Sequence, residues 1–309
     1  MRRRATAELA LVLNTVVWGS TFVLVKAALG GISSLLFLAL RFSLASAALV
    51  AFFRLRKRWE GPSVSKPRGW KAILPGIRGG ILVGTFLFLG YLFQTLGLRL
   101  TSAPKSAFIT GLTSVMVPLL GSLVYRNRPQ ISEWCGIAAA TVGLWLLTMP
   151  SAPLATALSK GTASALNRGD ILTFFCAIAF ATHIVSLGHF SRTMQFEVLS
   201  VAQVGTAAGW SLALCGWAET PHVEWRPAVV SAIVITGLLA TAAAFTLQAW
   251  AQKYTTATRT ALIYMLEPVV AWATSYLIAG EGLSRRAGAG AALILGGVLL
   301  VELKPMNQR

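Results

Sequence analysis

Thr101-Ser102-Ala103-Pro104-Lys105-Ser106-Ala107 returns 154 positions later as Thr255-Thr256-Ala257-Thr258-Arg259-Thr260-Ala261. The register holds on both sides of this stretch: at the same offset Gln94 falls on Gln248, Leu112 on Leu266, Gly136 on Gly290 and Gly143 on Gly297. A slightly longer offset, about 162, aligns the opening of each half and places Glu8 on Asp170, Trp18 on Phe180, Gly19 on Ala181 and Thr21 on His183. The chain reads as a duplication, and the character of the repeated unit decides the fold.

That unit is apolar. Of 309 residues 55% are hydrophobic and 12% charged, with a mean hydropathy of +0.68, whereas a soluble domain has about a quarter of its residues charged. Stretches such as Leu9 to Val17 are apolar nearly all round, so their solvent is lipid. A bilayer core takes about 20 apolar residues in a helix. Windows of that length give ten spans, near 8–28, 33–53, 73–98, 105–125, 131–149, 170–189, 197–217, 228–250, 258–279 and 286–303. The gaps carry turn and breaker residues, as at Gly30-Gly31, Gly61-Pro62 and Arg128-Pro129.

The expected fold is all-α: a polytopic membrane protein of about ten transmembrane helices, with a first repeat at 1–150, a linker rich in Ser, Ala, Thr and Pro at 151–169 and a second repeat at 170–309. Five spans per half make the halves face opposite ways. Inverted repeats of this kind place a binding site at the repeat interface near the midplane. Duplication without transport is the plainer reading of the same pattern.

Orientation follows from Lys and Arg in the short loops. The gap after span two holds Arg54, Arg56, Lys57, Arg58, Lys66, Arg68 and Lys71, which assigns it to the cytoplasm and puts both termini inside. Arg126, Arg128, Arg192, Lys253 and Lys304 agree, while Arg285 and Arg286 fall outside, against the rule. The expected location is a bacterial-type inner membrane.

Other classes find little support. The formal charge of +17 comes from Lys and Arg scattered between apolar runs, with no basic stripe for nucleic acid. Cys135, Cys176 and Cys215 lie inside apolar runs and show neither CxxC spacing nor a disulfide frame. Arg2-Arg3-Arg4 before an apolar run imitates a signal peptide but lacks a small-residue cleavage site, so it reads as a retained first helix. No Walker A, Gly-x-Ser-x-Gly or His-Glu-x-x-His motif occurs.

Several short motifs resemble a known family. Trp18-Gly19-Ser20-x-Phe22, Arg41-Phe42, Thr101-Ser102-Ala103, Leu266-Glu267-Pro268 and Gly280-Glu281, in this order and at this spacing, resemble the EamA family of the drug/metabolite transporter superfamily across nearly the whole chain. The resemblance implies ten helices, an inverted five-plus-five repeat and a central cavity lined mainly by spans one, three, four, six, eight and nine. It also implies transport, with exporters of amino acids and other metabolites among family members. The first half departs from the pattern with Tyr125-Arg126-Asn127-Arg128 where the second has Gly280-Glu281.

The candidate substrate-binding residues are Trp18, Tyr91, Gln94, Thr110, His183, Gln248, Tyr264 and Glu267. Gln94 and Gln248, at equivalent places in spans three and eight, can bond a carboxylate or an ammonium, or clamp helices together. His183 can donate, accept or take up a proton, or be a satisfied interior His. No second His or carboxylate stands at ligand spacing, so no metal and no cofactor are expected. Trp18 and Tyr264 are mid-span aromatics suited to a cavity wall, ahead of Trp250 and Trp272. Glu267 is the acid deep in the second half, a counter-ion or proton acceptor beside a helix break at Pro268; Pro118 marks a bend in span four.

Arg41, Lys105 and Arg259 are assigned to gating or structural charge. An Arg in mid-span is costly unless it faces the bundle interior, water or a partner, and Glu267 is one such partner. Lys105 and Arg259 begin spans four and nine on opposite membrane faces, where they either serve the mouths or snorkel. The reading is a secondary transporter, an exporter of small polar metabolites such as amino acids, working by alternating access, acting as a monomer and open to proton coupling. The alternative is a non-transporting scaffold or a membrane enzyme on the same bundle.

Overall fold

A computed structural model of the chain describes residues 2–59, 70–101, 103–126, 129–148, 167–279 and 284–303. Residues 151–166 of the expected linker, Lys66, Arg68 and the Gly280-Glu281 motif lie outside them. The described backbone is helical, as lipid demands: a helix satisfies its own N–H and C=O groups where no water is available. The helices are α1 (Arg2–Ala28), α2 (Ser34–Trp59), α3 (Trp70–Leu98), α4 (Ala103–Gly111), α5 (Thr113–Tyr125), α6 (Ile131–Thr148), α7 (Arg168–Thr193), α8 (Phe196–Ala218), α9 (Pro227–Gly237), α10 (Ala244–Ala251), α11 (Ala257–Tyr264), α12 (Glu267–Ala279) and α13 (Arg285–Glu302), with a π-helical turn, Leu238–Ala243, between α9 and α10. Each of the ten expected spans coincides with a helix or a broken pair. Among the described residues seven segments are long and apolar enough on their own to cross a membrane.

Spans four and nine are each broken, and at the same place. Leu112 N–H donates to Ile109 O (3.1 Å) and Leu266 N–H to Ile263 O (3.0 Å), so the chain tightens at two residues that the 154-residue repeat equates. Pro268 follows the second break within the first turn of α12, where a missing N–H costs nothing. Pro118 lies inside α5, six residues past the first break. The bend expected at Pro118 therefore sits at Leu112.

Reciprocal contacts express the two-fold relation directly. Thr101 Oγ1 donates to Asp170 Oδ1 (2.7 Å) and Thr255 Oγ1 to Glu8 Oε1 (3.2 Å); Thr101 matches Thr255 and Asp170 matches Glu8. One contact is made twice. Since α1 and α3 run in the same sense, Glu8 near the start of one and Thr101 past the end of the other lie at opposite ends of the molecule, which is the inversion. Spans five and ten repeat the pattern: a Cβ on Gly136 would stand 2.7 Å from Gly297 O, and one on Gly143 2.5 Å from Gly290 O. Gly143→Val is expected to force α6 and α13 apart and to cost about 2 kcal/mol, as overpacking does. A thermal melt in detergent indistinguishable from the parent's would show that this seam is not rigid.

The ends are tied differently. At one, Gly31 O accepts from Glu224 N–H (2.7 Å), Ser33 N–H donates to His222 O (2.9 Å), and Glu219 Oε1 accepts from Leu36 N–H at the start of α2. At the other, Arg56 Nη1 stands 3.9 Å from Glu197. Arg286 lies 4.8 Å over the Trp145 ring, a cation–π contact that holds this rule-breaking charge at its helix end. Two apolar cores flank the centre. Phe37, Phe42, Leu87, Val204 and Ile233 join α2, α3, α8 and α9, while Leu11, Leu144, Leu262 and Ile294 join α1, α6, α11 and α13. Trp18, Tyr91 and Phe180 pack on the first core and Tyr264 on the second.

Candidate functional site

The π turn in span eight begins as a matter of counting. Gly84 and Gly237 each press on a neighbour's backbone, at Gln203 and Arg41 respectively, and are 153 residues apart, whereas Tyr91 and Phe245 are 154 apart. Span eight thus holds one residue more than span three. A π turn is the way a helix absorbs a single extra residue, and such turns recur at functional sites. Within it, Thr241 Oγ1 donates to Thr236 O (2.8 Å), and the Ala240 carbonyl accepts from Trp18 Nε1 (2.8 Å) and Arg41 Nη2 (3.3 Å).

Arg41 is spent on this turn. It is 4% exposed; its Nε donates to Thr241 Oγ1 (2.6 Å), its Nη2 to the Tyr91 hydroxyl (3.1 Å), and its guanidinium carbon lies 4.7 Å from the Tyr91 ring centroid. Among the described residues it forms no ion pair with Glu267. Its charge is dispersed into neutral acceptors and a π face.

The aromatic residues form two matching half-sites. Trp18 meets Phe245 at 5.5 Å and Phe180 meets Tyr91 at 5.4 Å between centroids; Trp18 is the repeat counterpart of Phe180 and Phe245 of Tyr91. A second matched pair is polar in one half and nearly apolar in the other. The Tyr264 hydroxyl is buried without a hydrogen bond of good geometry, the Asn14 amide beside it. Its counterpart is Thr110, 3.9 Å from the sulfur of Cys176. Trp18 and Tyr264 meet edge to face at 4.8 Å, so spans one and nine close one wall.

Glu267 completes the asymmetry. Its counterpart Thr113 donates to Ala177 O (3.2 Å), but the Glu267 carboxylate has no hydrogen bond or ion pair among the described residues. It occupies the first turn of α12, where the helix dipole favours an anion. Glu267, Tyr264 and Tyr91 lie deep in the bundle and each keeps some accessible surface, which makes the space beside them the candidate cleft. The carboxylate is within electrostatic reach of Tyr91, Tyr264 and Cys176. A separate groove of about 550 Å³, lined by Leu74, Pro75, Arg78, Phe190 and Met194 among others, shares none of these residues.

The remaining sequence candidates divide. Gln94 is partly exposed on α3 beside Tyr91, with no hydrogen bond among the described residues. Gln248, 1% exposed, donates to Gln252 Oε1 at 3.5 Å and leaves its own Oε1 unmatched. His183 is buried with Nε2 3.1 Å from Gln203 Oε1, and Gln203 donates in turn to Phe245 O (3.4 Å). Arg259 is 1% exposed, its Nη1 3.7 Å from Glu8, which also pairs with Arg4. Lys105 lies in α4, its side chain outside the described residues. Among the described residues no His, Cys, Asp and Glu group forms a metal site. Sequence reasoning missed Asn14, Phe245 and Thr241. The 154 offset from Tyr91 points to Phe245, whereas no pattern marks Thr241, which the extra residue throws out of register.

Comparison with known proteins now bears on this geometry. The EamA-like transporter family profile matches residues 5–149 and again residues 167–303. The chain belongs to the EamA-like transporter family. It is 32% identical over 302 residues to an uncharacterized transporter of Archaeoglobus fulgidus, covering 98% of this chain and 87% of that one. It is 21% identical over 303 residues to the uncharacterized transporter YoaV of Bacillus subtilis, covering 94% and 95%. A crystal structure with 21% identity superposes with a TM-score of 0.74 over 97% of this chain and 99% of the other, a likeness of fold. In this EamA-like transporter the Trp18-Gly19 and Leu266-Glu267-Pro268 motifs pack together at Gly19, where a Cβ would stand 2.8 Å from that of Val270 and 2.9 Å from Glu267 O. The Leu266-Glu267-Pro268 motif supplies at once the helix break, the carboxylate and a proline in the first turn of α12.

Proposed function

We propose that the protein is a secondary transporter that exports small polar metabolites, amino acids among them, by alternating access. The observation that carries this reading is Glu267: an unmatched carboxylate in a cleft between two inverted halves, beside a broken helix. The halves, 1–150 and 170–309 with 151–169 between them, are the bodies that rock. Export as the direction rests on the family resemblance, and a monomer suffices because the cleft is built within one chain. The ligand is a small molecule, the setting a lipid bilayer, and Glu267 offers a route for proton coupling. Clustered nucleophiles for an enzyme and a basic stripe for nucleic acid are features this reading does without. Counterflow in proteoliposomes, with a panel of labelled amines, amino acids and organic acids, tests it. Exchange of at least one class above protein-free vesicles is the expected result; parent protein that exchanges none would overturn it.

The proposed setting is a bacterial-type inner membrane with both termini cytoplasmic. His222 and Lys253 are exposed in the connections before α9 and after α10. In a background without native cysteines, His222→Cys is expected to react with an impermeant maleimide from outside intact cells, and Lys253→Cys only after the membrane is opened. The reverse pattern would invert the orientation.

A further inference from the structure

The unmatched groups described beside the cleft are Glu267, Tyr264 and the Gln94 amide, and of these only Glu267 can carry a charge near neutrality. Glu267 presents a carboxylate without a cation, and Tyr264 a hydroxyl able to accept or donate. The described cation at this depth, Arg41, is committed to Thr241, Ala240 and Tyr91, and Arg259 pairs with Glu8 at one end of the bundle. A ligand carboxylate entering here would meet no uncommitted cation among the described residues and would stand beside Glu267, a like-charge approach that is costly away from water. A protonated amine meets the reverse: a carboxylate, and the rings of Trp18 and Tyr264, whose π faces attract cations, while the Tyr91 ring already holds Arg41. The half-sites also differ in polarity. Asn14, Tyr264 and Glu267 lie on α1, α11 and α12, whereas their counterparts Cys176, Thr110 and Thr113 on α7, α4 and α5 present a thiol and two small hydroxyls, next to Phe180.

We propose that the cleft is a binding site for amphipathic amines without a carboxylate: the ammonium sits at Glu267 and the apolar group lies toward Phe180 and Cys176. This rests on the transporter reading and on the same cleft, and it narrows the ligand class to amines, setting amino acids aside. Arg41 does not serve a ligand acid in this arrangement; it holds the π turn in shape.

Binding is measured apart from transport, on the full chain in nanodiscs by calorimetry, with 2-phenylethylamine, phenylalanine, 3-phenylpropionate and 2-phenylethanol. The amine is expected to bind at least about tenfold tighter than phenylalanine, with no measurable binding of the acid. Glu267→Gln should weaken the amine by about tenfold or more and leave the alcohol unchanged, in protein whose melting temperature matches the parent's. Phe180→Ala should weaken amine and alcohol alike. Equal or tighter binding of the amino acid or the acid, or an amine affinity that Glu267→Gln leaves intact, overturns the assignment. Binding of none of the four by a protein that exchanges other solutes in counterflow also overturns it, while the transporter reading stands. Amine binding without counterflow of any solute supports the ligand class and removes alternating access instead.

Discussion

Arg41→Met is expected to lower the stability of the detergent-solubilised protein by about 2 kcal/mol and to reduce transport severely. The variant loses hydrogen bonds from a charged donor, worth about 1.5–3 kcal/mol each, to Thr241, Ala240 and Tyr91. Relief of the buried charge offsets part of this loss. Partners survive for two acceptors: Thr241 still donates to Thr236 O, and Ala240 O still accepts from Trp18. The Tyr91 hydroxyl is left alone, and a hole opens beside its ring. Transport suffers more than stability because Arg41 holds the π turn against span two, and Trp18 hangs on the same carbonyl. Arg41→Lys should not rescue, since one ammonium cannot reproduce a planar fork aimed at three groups. Because Arg41 and Glu267 form no pair, their effects should add: in Arg41→Met with Glu267→Gln the coupling energy is expected within about 0.5 kcal/mol of zero. Recovery of stability in the double variant would mean that the two charges meet after all.

Much of this architecture is legible in the sequence because lipid leaves so few choices. Ten apolar windows become ten spans since a helix of that length is what spans a bilayer, and the two offsets that align Thr101 with Thr255 and Glu8 with Asp170 name pairs that the fold brings together across the halves. The same arithmetic finds ring contacts between the halves: the counterparts of Trp18 and Tyr91, Phe180 and Phe245, are the rings they touch. What stays hidden is where each polar group spends its hydrogen bonds. Arg41 and Glu267 look like a pair as long as both are counted as charges in lipid; the partner that actually satisfies Arg41 is backbone and hydroxyl in a π turn, created by a one-residue insertion with no compositional signature. His183 and Gln248 are read as ligand groups for the same reason, and in the fold they bond Gln203 and Gln252, residues unremarkable in sequence. Pro118 misleads about the bend because the break comes from the Gly111-Leu112 turn before it.

Glu267→Gln is expected to leave the melting temperature close to the parent's while lowering amine transport by about tenfold or more and abolishing its dependence on pH. Stability survives because the carboxylate has no partner to abandon among the described residues, and an amide of the same shape at the first turn of α12 gives up only a favourable interaction with the helix dipole, about 0.3–1 kcal/mol. Transport does not survive, because the amide carries no charge to hold an ammonium. In the parent, acid pH protonates Glu267 and removes the same charge, so the apparent KM for an amine should rise as the pH of the open side falls, and recover as it rises. The groups facing the carboxylate do not confuse this reading. Tyr91 on α3, Tyr264 on α11 and Cys176 on α7 have ordinary pKa values above 8, Asn14 and Trp18 on α1 do not titrate, and Arg41 on α2 faces the π turn. His183 on α7 is the other group that ordinarily titrates near neutrality, and it sits behind Phe245 against Gln203. His183→Gln therefore serves as the control and should keep the pH dependence. If that variant loses it while Glu267→Gln retains it, the proton is carried by the His183–Gln203 pair, and the carboxylate is a fixed charge that selects the ligand without titrating during transport.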